Sequence, residues 1–302
     1  MIKEKISLNV NSIWWRRLLI LGPIAWVVLF FAIPFAIIIK ISFSHSIFSA
    51  PPYAPMLEWV GNHALNIKLT FENYYLLFNE RLYISSYLNS LYLAAISTIF
   101  CLLIGYPMAY GIAHSHSRWR HFLLLMIILP FWTSFLIRVY AWMGLLSNTG
   151  FINSLLIKIG LISAPLPLLH NNFAVCIGII YTYLPFMILP LYASVEKVDP
   201  ILIEASADLG AKPISTFFKV TLPLTFKGIL TGSMLVFIPA VGEFVIPELL
   251  GGPNNPMIGK ILWMEFFSNL DWPVASAIAV ALLILLVIPM IIFQRIQMRR
   301  NW

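Results

Sequence analysis

Six apolar stretches punctuate the chain, separated by polar and often basic segments. Leu18 to Ile39 carries no charge, and Leu82 to Ala113 is uncharged and long enough to span with an extra turn or two. Phe122 to Leu146 is interrupted by Arg138 alone, and Gly228 to Pro247 by Glu243 alone. Phe173 to Val195 and Pro273 to Gln294 are again uncharged. A helix needs about 20 predominantly apolar residues to cross the hydrocarbon core, so each stretch predicts one transmembrane helix. The first exceeds a typical signal-peptide core and lacks a clear small-residue cleavage site after it, so it reads as a retained span.

Basic residues orient the spans. With the N-terminus inside, the inner segments hold Lys3, Lys5, Arg16 and Arg17, then Arg118 and Arg120. Lys197, Lys212, Lys219 and Lys227 follow, and finally Arg295, Arg299 and Arg300. The outer loops hold only Lys68, Arg81, Lys158 and Lys260. The expected fold is therefore an all-α integral membrane protein of six transmembrane helices with both termini cytoplasmic. Its parts are a cytoplasmic segment over residues 1–17, one six-helix domain over 18–295 with a long inner loop at about 196–227, and a tail over 296–302.

Composition agrees. Hydrophobic residues make up 60% of the 302, and charged residues only 10%, where a soluble domain carries about 25%. A water-soluble globule, a disordered chain and a disulfide scaffold are excluded. The net charge of +7 follows from basic residues gathered on one membrane side and does not signal nucleic acid. Cys101 and Cys176 sit in apolar runs and read as small hydrophobes. His114 and His116, near His121, have no carboxylate or thiol beside them, and no metal site is expected. Prolines inside the spans (Pro23, Pro34, Pro107, Pro130, Pro185, Pro190, Pro239, Pro289) predict kinks, which suit a pathway-forming bundle better than an anchor.

The long inner loop carries the strongest local pattern. Asp199 is a good helix N-cap, Pro200 a good first residue and Gly210 a good stop, predicting a helix over 200–209. Ile201, Leu202, Ala205 and Leu209 share one of its faces. Ala211-Lys212-Pro213 turns the chain into a second short helix, with Ile214, Phe217 and Phe218 on one face, ending near Leu222-Pro223. Such a knob either plugs the groove of another protein or lies along the membrane surface.

This segment resembles the loop of binding-protein-dependent ABC importer permeases, whose pattern runs E-A-A, three residues, Gly, nine residues, Ile, one residue, Leu-Pro. Glu204, Ala205, Gly210, Leu222 and Pro223 stand at matching positions, with Ser206 in place of the second Ala and Val220 in place of Ile. The six-span layout extends the resemblance over most of the chain. It implies that the loop docks into a groove of a cytoplasmic ATPase, with Glu204, Ala205, Ser206, Asp208, Gly210 and Pro223 at or near that joint. Gly210 would set the turn, Ala205 would permit close approach, and Glu204 would make a polar contact. It further implies two ATPase subunits, a second homologous permease subunit, an external substrate-binding protein and a bacterial inner (plasma) membrane location. No cofactor is expected in the chain itself. A phosphate-binding G-x-x-x-x-G-K-[ST] loop is absent, and the Gly259-Lys260 pair is followed by Ile261. ATP would be bound by the partner.

Charges inside spans are expensive and commonly functional. Arg138 and Glu243 fall in the outer halves of parallel spans and can form an ion pair; alternatively Glu243 lines the route of a cationic substrate. Glu248, Glu265 and Asp271 lie nearby in sequence against only Lys260, which predicts a negative outer mouth. Trp263, Phe266, Phe267 and Trp272 among them offer cation–π faces or form an interfacial aromatic belt. The run Ile238 to Gly252, with Leu262-Trp263-Met264-Glu265-Phe266-Phe267 and Asp271 to Ala277, resembles polyamine permeases, closest to the first permease subunit of bacterial putrescine or spermidine/putrescine importers. That resemblance implies a polyamine substrate and a route past Glu243, Glu248, Trp263, Glu265 and Asp271. An ABC permease for iron, sulfate or phosphonate is the rival within the class. An ion-driven secondary transporter would show internal repeats and its own ion site. An intramembrane enzyme would need a catalytic constellation, and no Ser/His/Asp or Cys/His set stands in register on facing spans.

Overall fold

The computed structural model describes residues 13–60, 64–253 and 256–299. Lys3, Lys5, Asn254, Asn255 and Arg300 lie outside the described residues, as do the first twelve positions of the N-terminal segment and the last three of the tail. Helices dominate. In order they are α1 Ile13–Val27, α2 Ile33–Ser42, α3 Glu72–Asn79, α4 Arg81–Ala113, α5 Ser117–Ile128, α6 Phe135–Leu146, α7 Phe151–Lys158 and α8 Asn172–Val195. They continue with α9 Pro200–Asp208, α10 Pro213–Thr216, α11 Leu222–Leu224, α12 Phe226–Val241, α13 Val245–Leu250, α14 Ile258–Trp263 and α15 Trp272–Arg299. The first outer loop adds a small antiparallel hairpin, β1 Leu57–Val60 with β2 Ala64–Ile67, in the register Leu57 to Ile67. It also holds α3.

Four helical segments are long and apolar enough to cross a membrane: Leu19–Ser42, Arg81–Ala113, Asn172–Val195 and Trp272–Ile292. The third and fifth expected spans are not straight. Ser117–Trp132 and Phe135–Lys158 meet at 91°, and a second bent pair, Pro213–Leu224 with Phe226–Val241 at 66°, turns at Thr225, ahead of the expected fifth span. With each bent pair taken as one span the number is six. The third breaks because Pro130 cannot donate to the ladder, a 3₁₀ turn tightens Leu129–Trp132, and Thr133 goes extended. The fifth breaks after Val241, where Gly242 caps α12 and Phe244 opens α13, so the expected continuous run to Pro247 is interrupted. Pro107, Pro185, Pro190, Pro239 and Pro289, by contrast, lie inside unbroken helices.

Two π-turns have a common cause. Val28–Ala32 precedes Pro34 and Phe217–Thr221 precedes Pro223, and in each the next N–H reaches five residues back (Ile33 to Val28, Leu222 to Phe217). Widening the turn moves carbonyls away from the proline ring that would otherwise clash with them.

Contacts divide the chain into two compact units. One gathers residues up to Leu77 with Glu265–Ala281, and the other Phe78–Met264 with residues from Leu282 onward. In the first, Asn73 lies buried and its Nδ2 donates to the carbonyls of Ser42 and Ser44 (2.9 Å each), holding the end of α2 against α3. Ser42 and Tyr74 share a hydroxyl bond of 2.8 Å.

In the second unit α4, α8 and α12 pack side by side. Their core is Leu93, Ala94, Ala174, Val175, Ile179, Ala240 and Val241 toward one end, and Cys101, Ala109, Met187, Ile188, Leu191 and Val236 toward the other. Gly228 and Gly232, one turn apart on α12, make the close approach: a β-carbon at either would collide with Pro190, Ser194 or Met187 of α8. Small residues at this spacing let membrane helices meet through their backbones. Both thiols are free; Cys101 is buried and Cys176 partly so. Leu21, Phe31, Leu88, Leu103, Ile137 and Ile288 are exposed, an outer surface suited to lipid and not to water.

Candidate functional site

Two regions of the second unit carry most of the expected functional residues. The first is the segment 199–225. Asp199 accepts from the Ile201 N–H (3.0 Å) and caps α9, with Pro200 at its first turn. At the other end Ala211 N–H bonds the Ser206 carbonyl (3.1 Å) and Gly210 N–H the Ala207 carbonyl (2.8 Å). This is the Schellman closure, and it needs a left-handed residue at the position Gly210 occupies with φ +77°. Lys212 and Pro213 then start α10. Ser206 Oγ lies 2.7 Å from Thr216 Oγ1, so the serine that departs from the second alanine of the motif fastens one short helix to the other. No residue of α9 is buried. Leu209 is 89% exposed, with Ile201, Leu202, Ile214 and Phe218 also exposed. Glu204, Ala205, Asp208 and Gly210 stand on this open surface, and Pro223, also exposed, lies in α11 on the way back to α12. A rigid, capped knob with apolar residues outward is a built protrusion.

The second region surrounds the break in the fifth span. Glu243 sits on the turn between α12 and α13, not within a helix, and is half-buried. Its carboxylate accepts from the Tyr183 hydroxyl, projecting from mid-α8, and from the Val245 N–H at 3.2 Å. Phe244 stacks on Trp263 at 4.6 Å and 11°. Gly259 of α14 backs the turn: a β-carbon there would fall on the carbonyl oxygens of Gly242 and Glu243. The α13–α14 connection is fixed to α4, where buried Ser90 accepts from the Ile258 N–H (2.8 Å). Gly259→Ala is therefore expected to destabilise the protein by about 1–3 kcal/mol, read as a lower unfolding temperature in detergent. Gly144→Ala, with open space around it, should shift that temperature little.

Several expectations are corrected here. Arg138 and Glu243 form no ion pair among the described residues. The Arg138 guanidinium lies over Phe131 (5.2 Å) and Phe135 (5.9 Å), and its Nε is buried without a hydrogen-bond partner. Glu248 does not add free negative charge, because Lys260 neutralises it at 3.0 Å. Glu265 and Asp271 belong to the first unit, not to the one holding Glu243, Glu248 and Trp263. There Glu265 accepts from Asn269 (2.8 Å) and Asp271 caps α15 through the Val274 N–H (3.1 Å). Both line a cavity of about 750 Å³ with Ser46, Ile47, Phe48 and Leu270. Of the aromatics, Phe266 and Trp272 stack on each other at 5.0 Å and 5°. Sequence reading missed Tyr183; its only signal was a polar-tipped ring in an otherwise apolar span.

A bundle of lipid-facing helices with an exposed, capped knob and a carboxylate at a helix break defines a polytopic membrane transport component. Residues 101–302 match the family described as binding-protein-dependent transport system inner membrane component. The chain belongs to that family. It is 40% identical over 271 residues to the spermidine/putrescine transport system permease protein PotB of Haemophilus influenzae, covering 90% of each chain. To PotB of Escherichia coli K12 it is 37% identical over 277 residues, covering 92% of this chain and 96% of that one. In fold it is similar to a chain in the crystal structure of a bacterial alginate ABC transporter in complex with alginate pentasaccharide-bound periplasmic protein. There the TM-score is 0.73 at 18% identity, over 98% of both chains. The protein is thus an inner-membrane permease component, and members of this family are not enzymes.

Proposed function

We propose that this chain is one of two channel-forming subunits of an ATP-driven, binding-protein-dependent importer of polyamines, putrescine or spermidine. The observation that carries the reading is the exposed knob at 199–223, whose apolar tip and charged rim face outward and fit the groove of a cytoplasmic ATPase. The kinship with spermidine/putrescine permeases supports the substrate class.

Two ATPase subunits, a second homologous permease and an external binding protein complete the assembly. ATP is bound and hydrolysed by the partners. Closure of the ATPases moves two knobs together, and rigid-body rotation of the membrane halves opens the route outward. Glu204, Ala205, Ser206, Asp208, Gly210 and Pro223 serve this joint. On the route, Glu243 offers a carboxylate to an ammonium group that has lost its water, and the Tyr183 hydroxyl orients it. Trp263 and Phe244 supply an aromatic face beside it. Glu248 follows on α13, paired with Lys260, while Glu265 and Asp271, lining the cavity of the first unit, offer carboxylates of their own to a cation.

The test is disulfide or bifunctional crosslinking from Leu209→Cys in the intact importer, with ATPase activity measured alongside. Crosslinks to the ATPase, and stimulation by binding protein loaded with putrescine or spermidine, are expected. No crosslink overturns the docking role. Stimulation by protein loaded with sulfate or phosphonate instead overturns the substrate.

A further inference from the structure

We infer that Tyr106 is a positioning residue that fastens the knob to the membrane bundle and carries its motion into α4. The inference rests on the docking role proposed for residues 199–223. Three observations meet at one point.

First, Thr225 is the joint. It stands between α11 and α12, outside both helices, where the chain bends by 66°. Everything the knob transmits along the backbone to α12 passes through this residue.

Second, the joint is held by a buried hydroxyl relay. Thr225 is fully buried and Tyr106 is 7% exposed. Thr225 Oγ1 lies 2.9 Å from the Thr221 carbonyl and 2.8 Å from the Tyr106 hydroxyl. A hydroxyl has one proton to give. Thr225 gives its own to the Thr221 carbonyl, so Tyr106 donates to Thr225. The tyrosine of α4 is thereby bonded, through one threonine, to the last residue of the π-turn.

Third, the same ring is gripped by the knob. Phe217 packs edge-on against Tyr106 at 5.4 Å and 88°, an attractive geometry between aromatic rings. Phe217 follows Thr216, which holds Ser206 of the docking helix. A short path therefore runs from α9 through Ser206, Thr216 and Phe217 to Tyr106. A second path runs through Thr221 and Thr225 to the same residue.

A tyrosine is suited to this task and phenylalanine is not. The ring alone fills the space, but only the hydroxyl ties α4 to the joint. Removing it leaves Thr225 Oγ1 buried with one partner fewer. The knob can then tilt at Thr225 without dragging α4. Spatial continuity alone does not establish coupling, so the readout has to be coupling itself.

The experiment uses the complete importer in proteoliposomes with its binding protein, fed radiolabelled putrescine or spermidine, whichever the unmodified importer accumulates. Tyr106→Phe, Thr225→Val and the double variant are compared for substrate accumulated per ATP hydrolysed. The Leu209→Cys crosslink to the ATPase is measured in each. Tyr106→Phe, which removes one buried hydrogen bond, is expected to lower accumulation per ATP about fivefold, and Thr225→Val, which also removes the bond to the Thr221 carbonyl, at least as much. The double variant is expected to be no worse than Thr225→Val alone, because that variant already removes the bond Tyr106 makes. Crosslinking and the unfolding temperature are expected to stay close to those of the unmodified complex. A yield per ATP unchanged in Tyr106→Phe, with the crosslink intact, overturns the role of Tyr106 and leaves the docking role standing. So does a fall in uptake matched by an equal fall in ATP hydrolysis and a lower unfolding temperature, the mark of a purely structural residue. A missing crosslink in the otherwise unmodified importer overturns the docking role, and the positioning role with it.

Discussion

Gly210→Pro is expected to leave the protein inserted and abundant in the membrane yet reduce ATP-driven uptake by at least tenfold, about the effect of the strain stored in a forbidden turn. The reason is conformational. Position 210 has φ +77°, whereas proline is fixed near −65°. The Schellman bonds from Gly210 and Ala211 back to Ala207 and Ser206 cannot form around it, and Leu209 would no longer project from the knob. A graded series separates geometry from mere bulk. Asparagine tolerates the left-handed region, alanine resists it by about 1–2 kcal/mol, and proline cannot enter it. Uptake should fall in the order Gly, Asn, Ala, Pro. Open space around Gly210 means that side-chain volume does not reproduce this order. Glu204→Lys, on the exposed surface of α9, should give the same uncoupled phenotype through charge reversal. Normal uptake in both Gly210→Pro and Glu204→Lys would count against the coupling role.

Glu243→Gln is expected to raise the KM for polyamine uptake by at least tenfold, with the protein still assembled. Glutamine keeps the shape: its one carbonyl oxygen can still accept from the Val245 N–H while its amide donates to the Tyr183 hydroxyl, so the turn between α12 and α13 survives. What disappears is the negative charge. A hydrogen bond to a charged group contributes about 1.5–3 kcal/mol, and each 1.4 kcal/mol is about tenfold in affinity. Tyr183→Phe leaves the charge but frees the carboxylate to turn, and a smaller effect, about fivefold, should follow. Competition with diamines and triamines in the Glu243→Gln background then separates recognition of one ammonium from recognition of several. An unchanged KM in Glu243→Gln would reduce Glu243 to a cap on the Val245 N–H.

The parts of this protein written in local code were readable in its sequence. Length and apolarity marked the four straight spans, because crossing a bilayer is a constraint on consecutive residues. Asp199, Pro200 and Gly210 marked α9 almost to the residue, because capping is likewise local. The bends were not readable. Hydropathy averages over a window and cannot tell a straight helix from two that meet at 91°. Proline was a poor guide as well: α4, α8, α12 and α15 run through theirs, while the fifth span broke at Gly242. The site was legible only in part. Glu243 stood out as a charge in an apolar run. Its hydrogen bond to Tyr183, sixty residues away, and the neutralisation of Glu248 by Lys260 depend on how helices pack. Ser206 read as a small, conservative departure, and the structure shows it bonded to Thr216.

The close approach of Gly228 to Pro190 and Ser194 has a mechanical consequence. It brings the two strands of chain entering and leaving the knob together at its base, so the protrusion is a closed loop and not a slack tether. A push at Leu209 therefore arrives as torque on two membrane-crossing rods gripped at one collar. Widening that collar, as a bulkier residue at 228 would do, turns a lever into a spring.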